Sequence, residues 1–144
     1  MKCVFCDIVQ GKDFQKWHIV YQDEKTTAFL DQLQVHPGHI LVVPNRHHED
    51  IYSLDEDLAG YLFKVTTKLA KVGRKAFRYE GLNIYQCNGK CAGQTVFHFH
   101  IHLFPRKGND GFFRVYGGLS TRLIKKATKK NILAYRKKLK EQLW

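Results

Sequence analysis

The eight residues Phe97-His98-Phe99-His100-Ile101-His102-Leu103-Phe104 set a histidine at every second position. In an extended strand alternate side chains share a face, so this run predicts His98, His100 and His102 lining one side. Phe97, Phe99, Ile101 and Leu103 would then fill a core on the other side. A second periodicity supplies a layer for such a strand to pack against. Leu54, Leu58, Tyr61, Val65, Leu69, Val72 and Ala76 recur at steps of three and four, which predicts one long helix, with Ser53 and Glu56 forming a capping box at its start. Gly60 and Gly73 lower its intrinsic propensity, so packing of the apolar stripe must hold it together.

Shorter β-rich runs occupy His18 to Tyr21, Thr27 to Leu30, His39 to Val43 and Leu82 to Cys87, divided by charged or glycine-containing turns. Ile132, Tyr135, Leu139 and Leu143 suggest a further helix from about Thr128 to Gln142. The expectation is an α+β fold: an antiparallel sheet of about five strands packed with one long helix and a C-terminal helix. With 144 residues, 44% of them hydrophobic, and no repeat or Pro/Gly/Ser-rich linker, the chain reads as one domain, and disordered and collagen-like classes are excluded. No run approaches the ~20 apolar residues of a membrane span. Asp7 interrupts the apolar start too early for a secretory signal, so the expected location is the cytoplasm.

The net charge of +11 is unevenly placed: residues 121–144 hold nine basic side chains against one acidic, so +8 of it lies there. Such a segment is either a solvated helical face or an electrostatic footprint for nucleic acid or another polyanion, and no nucleic-acid motif accompanies it.

A row of imidazoles suits phosphorus chemistry. Neutral histidine, with an ordinary pKa near 6.5, is a nucleophile at neutral pH without a strong base; it can attack phosphorus and hold the group as a labile phosphoramidate. Upstream lies Asn88-Gly89-Lys90-Cys91-Ala92-Gly93-Gln94-Thr95, whose glycines would let backbone N–H groups approach an anion. Without further information Asp31 reads as a turn carboxylate and His39 as a strand surface residue. His18, His36 and His48 likewise read as surface residues.

The segment Gly93 to Phe104 resembles the signature of the histidine triad (HIT) family of nucleotidyl hydrolases and transferases. Also similar are Cys3-Val4-Phe5-Cys6, Ala28-Phe29-Leu30-Asp31, and Pro37-Gly38-His39-Ile40-Leu41-Val42-Val43-Pro44 followed by His47, in matching order over residues 1–115. Residues 116–144 would form a basic extension of the same domain. The resemblance implies that His100 is the nucleophile on the α-phosphate of a purine nucleotide. His102 would assist at phosphate oxygens and leaving group, Asp31 would accept from the ribose hydroxyls, and Ile8 and Phe29 would line the base pocket. His39, Gly93, Gln94 and Thr95 would complete the phosphate site. Asn88 would belong to it too, although Cys87 stands where relatives commonly carry Asn or Gln. A homodimer is also implied.

Cys3 and Cys6 have the spacing of a zinc knuckle, and structural Zn²⁺ takes four Cys or His ligands. The resemblance implies His47 and His98 as the other two. A Cys₄ site with Cys87 and Cys91 is the rival, and four metal-free thiols the third reading. From a different class comes a zinc-stabilised binding module for nucleotides or nucleic acid with negligible turnover.

Overall fold

The computed structural model describes residues 2–12, 18–108, 110 and 125–143. In chain order the elements are α1 (Val4–Val9), β1 (Ile19–Gln22), β2 (Thr26–Leu30), β3 (Leu33–Gln34), β4 (Ile40–Pro44), α2 (Glu56–Phe77), β5 (Gly81–Tyr85), β6 (Ile101–Arg106), β7 (Lys125–Lys126) and α3 (Lys129–Leu143). Five strands form an antiparallel sheet in the order β1-β2-β4-β6-β5, and β3 pairs separately with β7. This is the expected α+β architecture. The boundary expected between residues 115 and 116 lies outside the described residues.

Alternation along β4 and β6 assigns the two faces of the sheet. Ile40, Val42, Ile101 and Leu103 join Leu62, Val65, Leu69 and Val72 of α2 and Ile132 and Leu139 of α3 in the main core. Each such large side chain withdrawn from water contributes about 1.5–3 kcal/mol. Leu41 and Val43 point the other way and pack with Phe29, Phe5 and Ile8 in a smaller core under α1. His102 and Phe104 share that second face, stacked against each other with ring centroids 5.1 Å apart. The helices α2 and α3 therefore cover one side of the sheet, and the other side is left for α1 and the histidines.

Several local expectations are corrected. Helix α2 starts on Asp55, whose side chain accepts from the Leu58 N–H, while Ser53 closes a capping box with Asp50 on the preceding 3-10 turn Ile51–Ser53. Ser53 is already engaged with Asp50 and Asp55 occupies the cap of α2, so the expected box of Ser53 with Glu56 gives way to these two starts. Gly73 lies against the Tyr79 ring, 3.1 Å from its hydroxyl to where a Cβ would stand, and that hydroxyl donates to the Ala70 carbonyl. Among the described residues no helix is long and apolar enough to cross a membrane.

Candidate active site and metal centre

The strand that carries the triad begins at Ile101, not at Phe97. Ahead of it the backbone leaves the ladder because its polar groups have other partners. The Phe99 N–H donates to the His48 carbonyl at 2.6 Å, and His98 Nε2 bonds to the Pro44 carbonyl at 3.0 Å. His100 Nδ1 bonds to the carbonyl of His98 at 2.7 Å. A carbonyl can only accept, so each of these nitrogens carries the proton and the opposite ring nitrogen holds the lone pair. The lone pairs are then His98 Nδ1 and His100 Nε2.

Next to His100 stands a second pair. His39 Nδ1 donates to the Leu33 carbonyl at 2.7 Å, so its neutral ring accepts at Nε2 from His102 Nδ1, 2.9 Å away. The His100 and His102 ring centroids are 4.8 Å apart, and Phe5 presents its ring edge-on to His100 at 5.2 Å. Burial lowers the pKa of His100 below the ordinary histidine value. Burial also lowers His39, against the pull of Asp31, and lowers His102 with help from His39. All three imidazoles are thereby held neutral at pH 7.

The Cys3, Cys6, His47 and His98 ligand atoms converge within 4.8 Å of one another. Cys3 and Cys6 are three residues apart at the start of α1, so their thiols share a face. Sγ of Cys3 lies 3.4 Å from His98 Nδ1, and Sγ of Cys6 lies 3.4 Å from His47 Nδ1 and 3.5 Å from His98 Nδ1. Tetrahedral zinc bonds would hold S and N ligands ~3.5 Å apart, so the donor set fits this ion. The His98 tautomer fits as well, because its Nε2–H is taken by Pro44 and Nδ1 is left to ligate. Burial and the neighbouring Cys3 push the Cys6 thiol up to about 11, and a bound cation would reverse that. Cys87 is buried and Cys91 exposed, and neither belongs to a metal-holding cluster among the described residues. Asp31, His39 and His102 also approach one another, but both His39 nitrogens are already engaged.

Asp31 follows β2; its Oδ1 accepts from the Leu33 N–H at 2.9 Å, and its Oδ2 lies 3.8 Å from His39 Nδ1. Ile8 and Phe29 are both buried in the small core beneath this face. In the loop after β5, Gln94 is 3% exposed and spends its side chain inside, accepting from the Gly89 N–H and donating to the carbonyls of Glu49 and Val96. The N–H groups of Ala92, Gly93 and Gln94 are likewise donated to Gly89 and Lys90, and Asn88 accepts from the Ile51 N–H. These groups brace the loop, whereas Thr95 and Lys90 are exposed on it.

Sequence reasoning missed the groups that aim the histidines. Gln34 accepts from the N–H groups of Gly38 and His39 and donates to the carbonyls of Asp31 and His39, holding both site residues on one turn. Nothing in the primary structure marks this glutamine. Phe5, between the two cysteines, did carry a signal in its position. His18 is not a surface residue: it is 1% exposed, its Nδ1 2.7 Å from the Leu30 carbonyl. His36 pairs with Asp110, and His48 donates to Ser53; both are half-buried.

The family model described as HIT domain matches residues 13–109. Protein hit of Bacillus subtilis is 44% identical over 115 residues, covering 79% of this chain and 78% of that one. More distant are an adenosine 5'-monophosphoramidase of Candida albicans, 32% identical over 73% of this chain and 70% of its own, and an adenylylsulfatase of Arabidopsis thaliana, 30% identical over 75% and 54%. Among solved structures, a hypothetical histidine triad nucleotide-binding protein from Sulfolobus tokodaii superposes with TM-score 0.83 at 31% identity, covering 98% of this chain and 91% of that one. A Zn-bound histidine triad protein from Mycobacterium smegmatis gives 0.81 at 29% identity, covering 99% and 94%.

Proposed function

Because this chain belongs to the HIT domain family, we propose that it is a nucleotidyl hydrolase or transferase that releases a nucleoside monophosphate, AMP or GMP, through a covalent bond to His100. One observation carries this reading: His100 Nδ1 is fixed on the His98 carbonyl, which leaves Nε2, unpartnered among the described residues, as a neutral nucleophile beside His102. In the first half-reaction Nε2 attacks the α-phosphorus, a P–N bond forms, and the leaving group departs with the electron pair of its broken bond and takes up a proton from solvent. In the second, water attacks phosphorus, the electron pair of the P–N bond returns to Nε2, and the water's proton passes by way of the His102 Nε2 lone pair to solvent, replacing the one the leaving group took up. His98 enters through its carbonyl, which orients the nucleophile.

Asp31 would accept from the ribose hydroxyls, with Phe29 and Ile8 behind the base. Thr95 and the Gly93 turn would face the phosphate, with Asn88, Gln94 and His39 as positioning residues. Substrates of this class include nucleoside phosphoramidates, dinucleoside polyphosphates and adenylylated compounds; two relatives named as a monophosphoramidase and an adenylylsulfatase support it. Zinc held by Cys3, Cys6, His47 and His98 would supply folding free energy and fix α1 against the His98 loop. A homodimer is part of the proposal, supported by the edge position of β5 with Ile84 and Tyr85 exposed and by exposed Phe63 on α2. So is a cytoplasmic location, where four free thiols are stable.

The test is a panel of these substrates with product identification, run on the wild type and on His100→Asn. Nucleoside monophosphate release by the wild type, lost in a variant that still binds nucleotide, is the expected result. Equal turnover by the variant removes His100 as nucleophile, and absence of turnover with intact binding in the wild type favours a binding module.

A further inference from the structure

The outer surface of the helical layer is strongly basic, and nothing in the chemistry above uses it. Between Leu58 and Tyr79 there are six basic side chains and no acidic one, and α3 carries six more against the single acid Glu141. Where the C-terminal end of α2 meets α3, this surface opens into a cavity of about 340 Å³. Phe77 and Tyr135 are in its wall, meeting edge-on with centroids 5.7 Å apart. Arg78, Lys107 and Lys138 also line it; all three are exposed, and none forms an ion pair among the described residues. The acids nearby are committed elsewhere, Asp110 to Arg106 and His36, and Glu80 to the Gly108 N–H. Arg78 also sits at φ 52°, the one non-glycine residue in the left-handed region among those described, where glycine would be unstrained.

We propose that this cavity binds single-stranded nucleic acid, with one base against Phe77 and Tyr135 and the flanking phosphodiesters on Arg78, Lys107 and Lys138. Cations around aromatic faces are what an unpaired, charged strand requires: a π surface for the base and a positive track for the backbone. A duplex keeps its bases stacked away from such a wall, and a lipid surface would call for large apolar side chains standing out from the patch, whereas these two rings are half-buried. The basic faces of α2 and α3 extend the track, and at 15 residues α3 offers ~22 Å of it. His36 and Pro37, on the turn that leads to His39, also line the cavity, but no residue of the proposed chemistry belongs to it.

Fluorescence anisotropy of the full chain with a labelled single-stranded dodecanucleotide tests this, with the matching duplex, inorganic polyphosphate and phosphatidylserine vesicles as competitors. The single strand should compete at least fivefold better than the others. Arg78→Gln with Lys138→Gln should weaken binding at least tenfold and flatten the dependence of log K on log salt by about 1.4, the counterions of two phosphate contacts. Tyr135→Leu should weaken it at least threefold. Because Tyr135 touches the core, a thiouridine-bearing strand crosslinked to the wild type gives a second reading and should label the Phe77 or Tyr135 peptide. His100→Asn should bind the strand as the wild type does, which separates failure of this site from failure of the catalytic reading. Unchanged binding by the glutamine variants, equal competition by polyphosphate or duplex, binding to vesicles alone, or crosslinks only elsewhere would overturn the proposal.

Discussion

The two faces of one sheet are stabilised in different ways. On the helical side, Ile40, Val42, Ile101 and Leu103 meet α2 and α3 through apolar contact, in which many side chains of suitable volume would serve. On the other side three imidazoles are aimed by particular carbonyls, His98 by Pro44, His100 by His98 and His39 by Leu33, and His102 is aimed by the His39 ring. One face is specified by periodicity and volume. The other is specified by proton positions, and there a single displaced carbonyl would change which nitrogen can react.

Substitutions that separate the faces sharpen this contrast. The largest effect is expected at His100, where the Nδ2 amide of Asn can donate in place of the imidazole Nδ1 and the nucleophile is removed; turnover should fall on the order of 10⁴-fold or more, as when other covalent nucleophiles are deleted. Steady-state kinetics check it, with an unchanged melting temperature showing that the face remains folded. Removal of the metal should come next. Cys3→Ser should abolish stoichiometric zinc, found by elemental analysis, and cost about 3 kcal/mol, roughly 10 °C in Tm. Zinc uptake by the apoprotein should release protons, since the Cys6 thiol, pushed up to about 11, is protonated without it. If Cys87→Ser and Cys91→Ser lose zinc while His47→Ala retains it, the Cys₄ site replaces this one.

On the opposite face Leu69, fully buried on α2, should behave as a core side chain only: Leu69→Ala costs about 2–5 kcal/mol in denaturant melts. Below its own Tm, kcat should stay close to the wild type. A fall in kcat as large as that of His100→Asn would mean the two faces are not separable.

This division also explains what could be read before folding. The helical face was legible because burial at steps of three, four and two leaves a pattern in one dimension, and Val65, Leu69, Ile101 and Leu103 follow it. The triad was legible as a spacing, yet its first two members stand outside the strand, since His98 and Phe99 give their hydrogen bonds to Pro44 and His48, more than 50 residues away. The same holds for Gln34, for the two-residue pairing of β3 with β7, and for the partner of the buried His18. Each depends on contact between distant segments, which no local period encodes.

Stability against pH tests the proton positions directly. His39 and His102 have folded pKa values below the ordinary one, so the unfolded chain takes up their protons first as pH falls. Their contribution is complete above about pH 6.5 and declines below it. Between pH 7 and 5.5 each neutral histidine should cost about 1 kcal/mol of folding stability. Nuclear magnetic resonance of the rings should find His102 still neutral at pH 5.5; a charged ring there would mean that burial does not hold this imidazole neutral.

The smallest effect separates the two parts of the basic C-terminal segment. Lys125 and Lys126 form β7 against β3, the strand whose Leu33 carbonyl holds His39, whereas Lys130 is exposed on α3 in the helical layer. At a separation of roughly 10 Å in water, reversing one charge alters the attraction of a unit anion by about 0.8 kcal/mol before screening, and by less at physiological salt, where the Debye length is about 8 Å. Lys126→Glu should therefore lower kcat/KM for a dinucleoside polyphosphate by about two- to threefold at low salt, and Lys130→Glu should change it by less than that. A small nucleoside phosphoramidate should be nearly indifferent to both. Because the effect is screened, the gap between the two variants should close as salt is raised. Equal losses from Lys126→Glu and Lys130→Glu would mean that the segment acts through its total charge, and that the pairing of β7 with the site-bearing turn has no consequence for substrate choice.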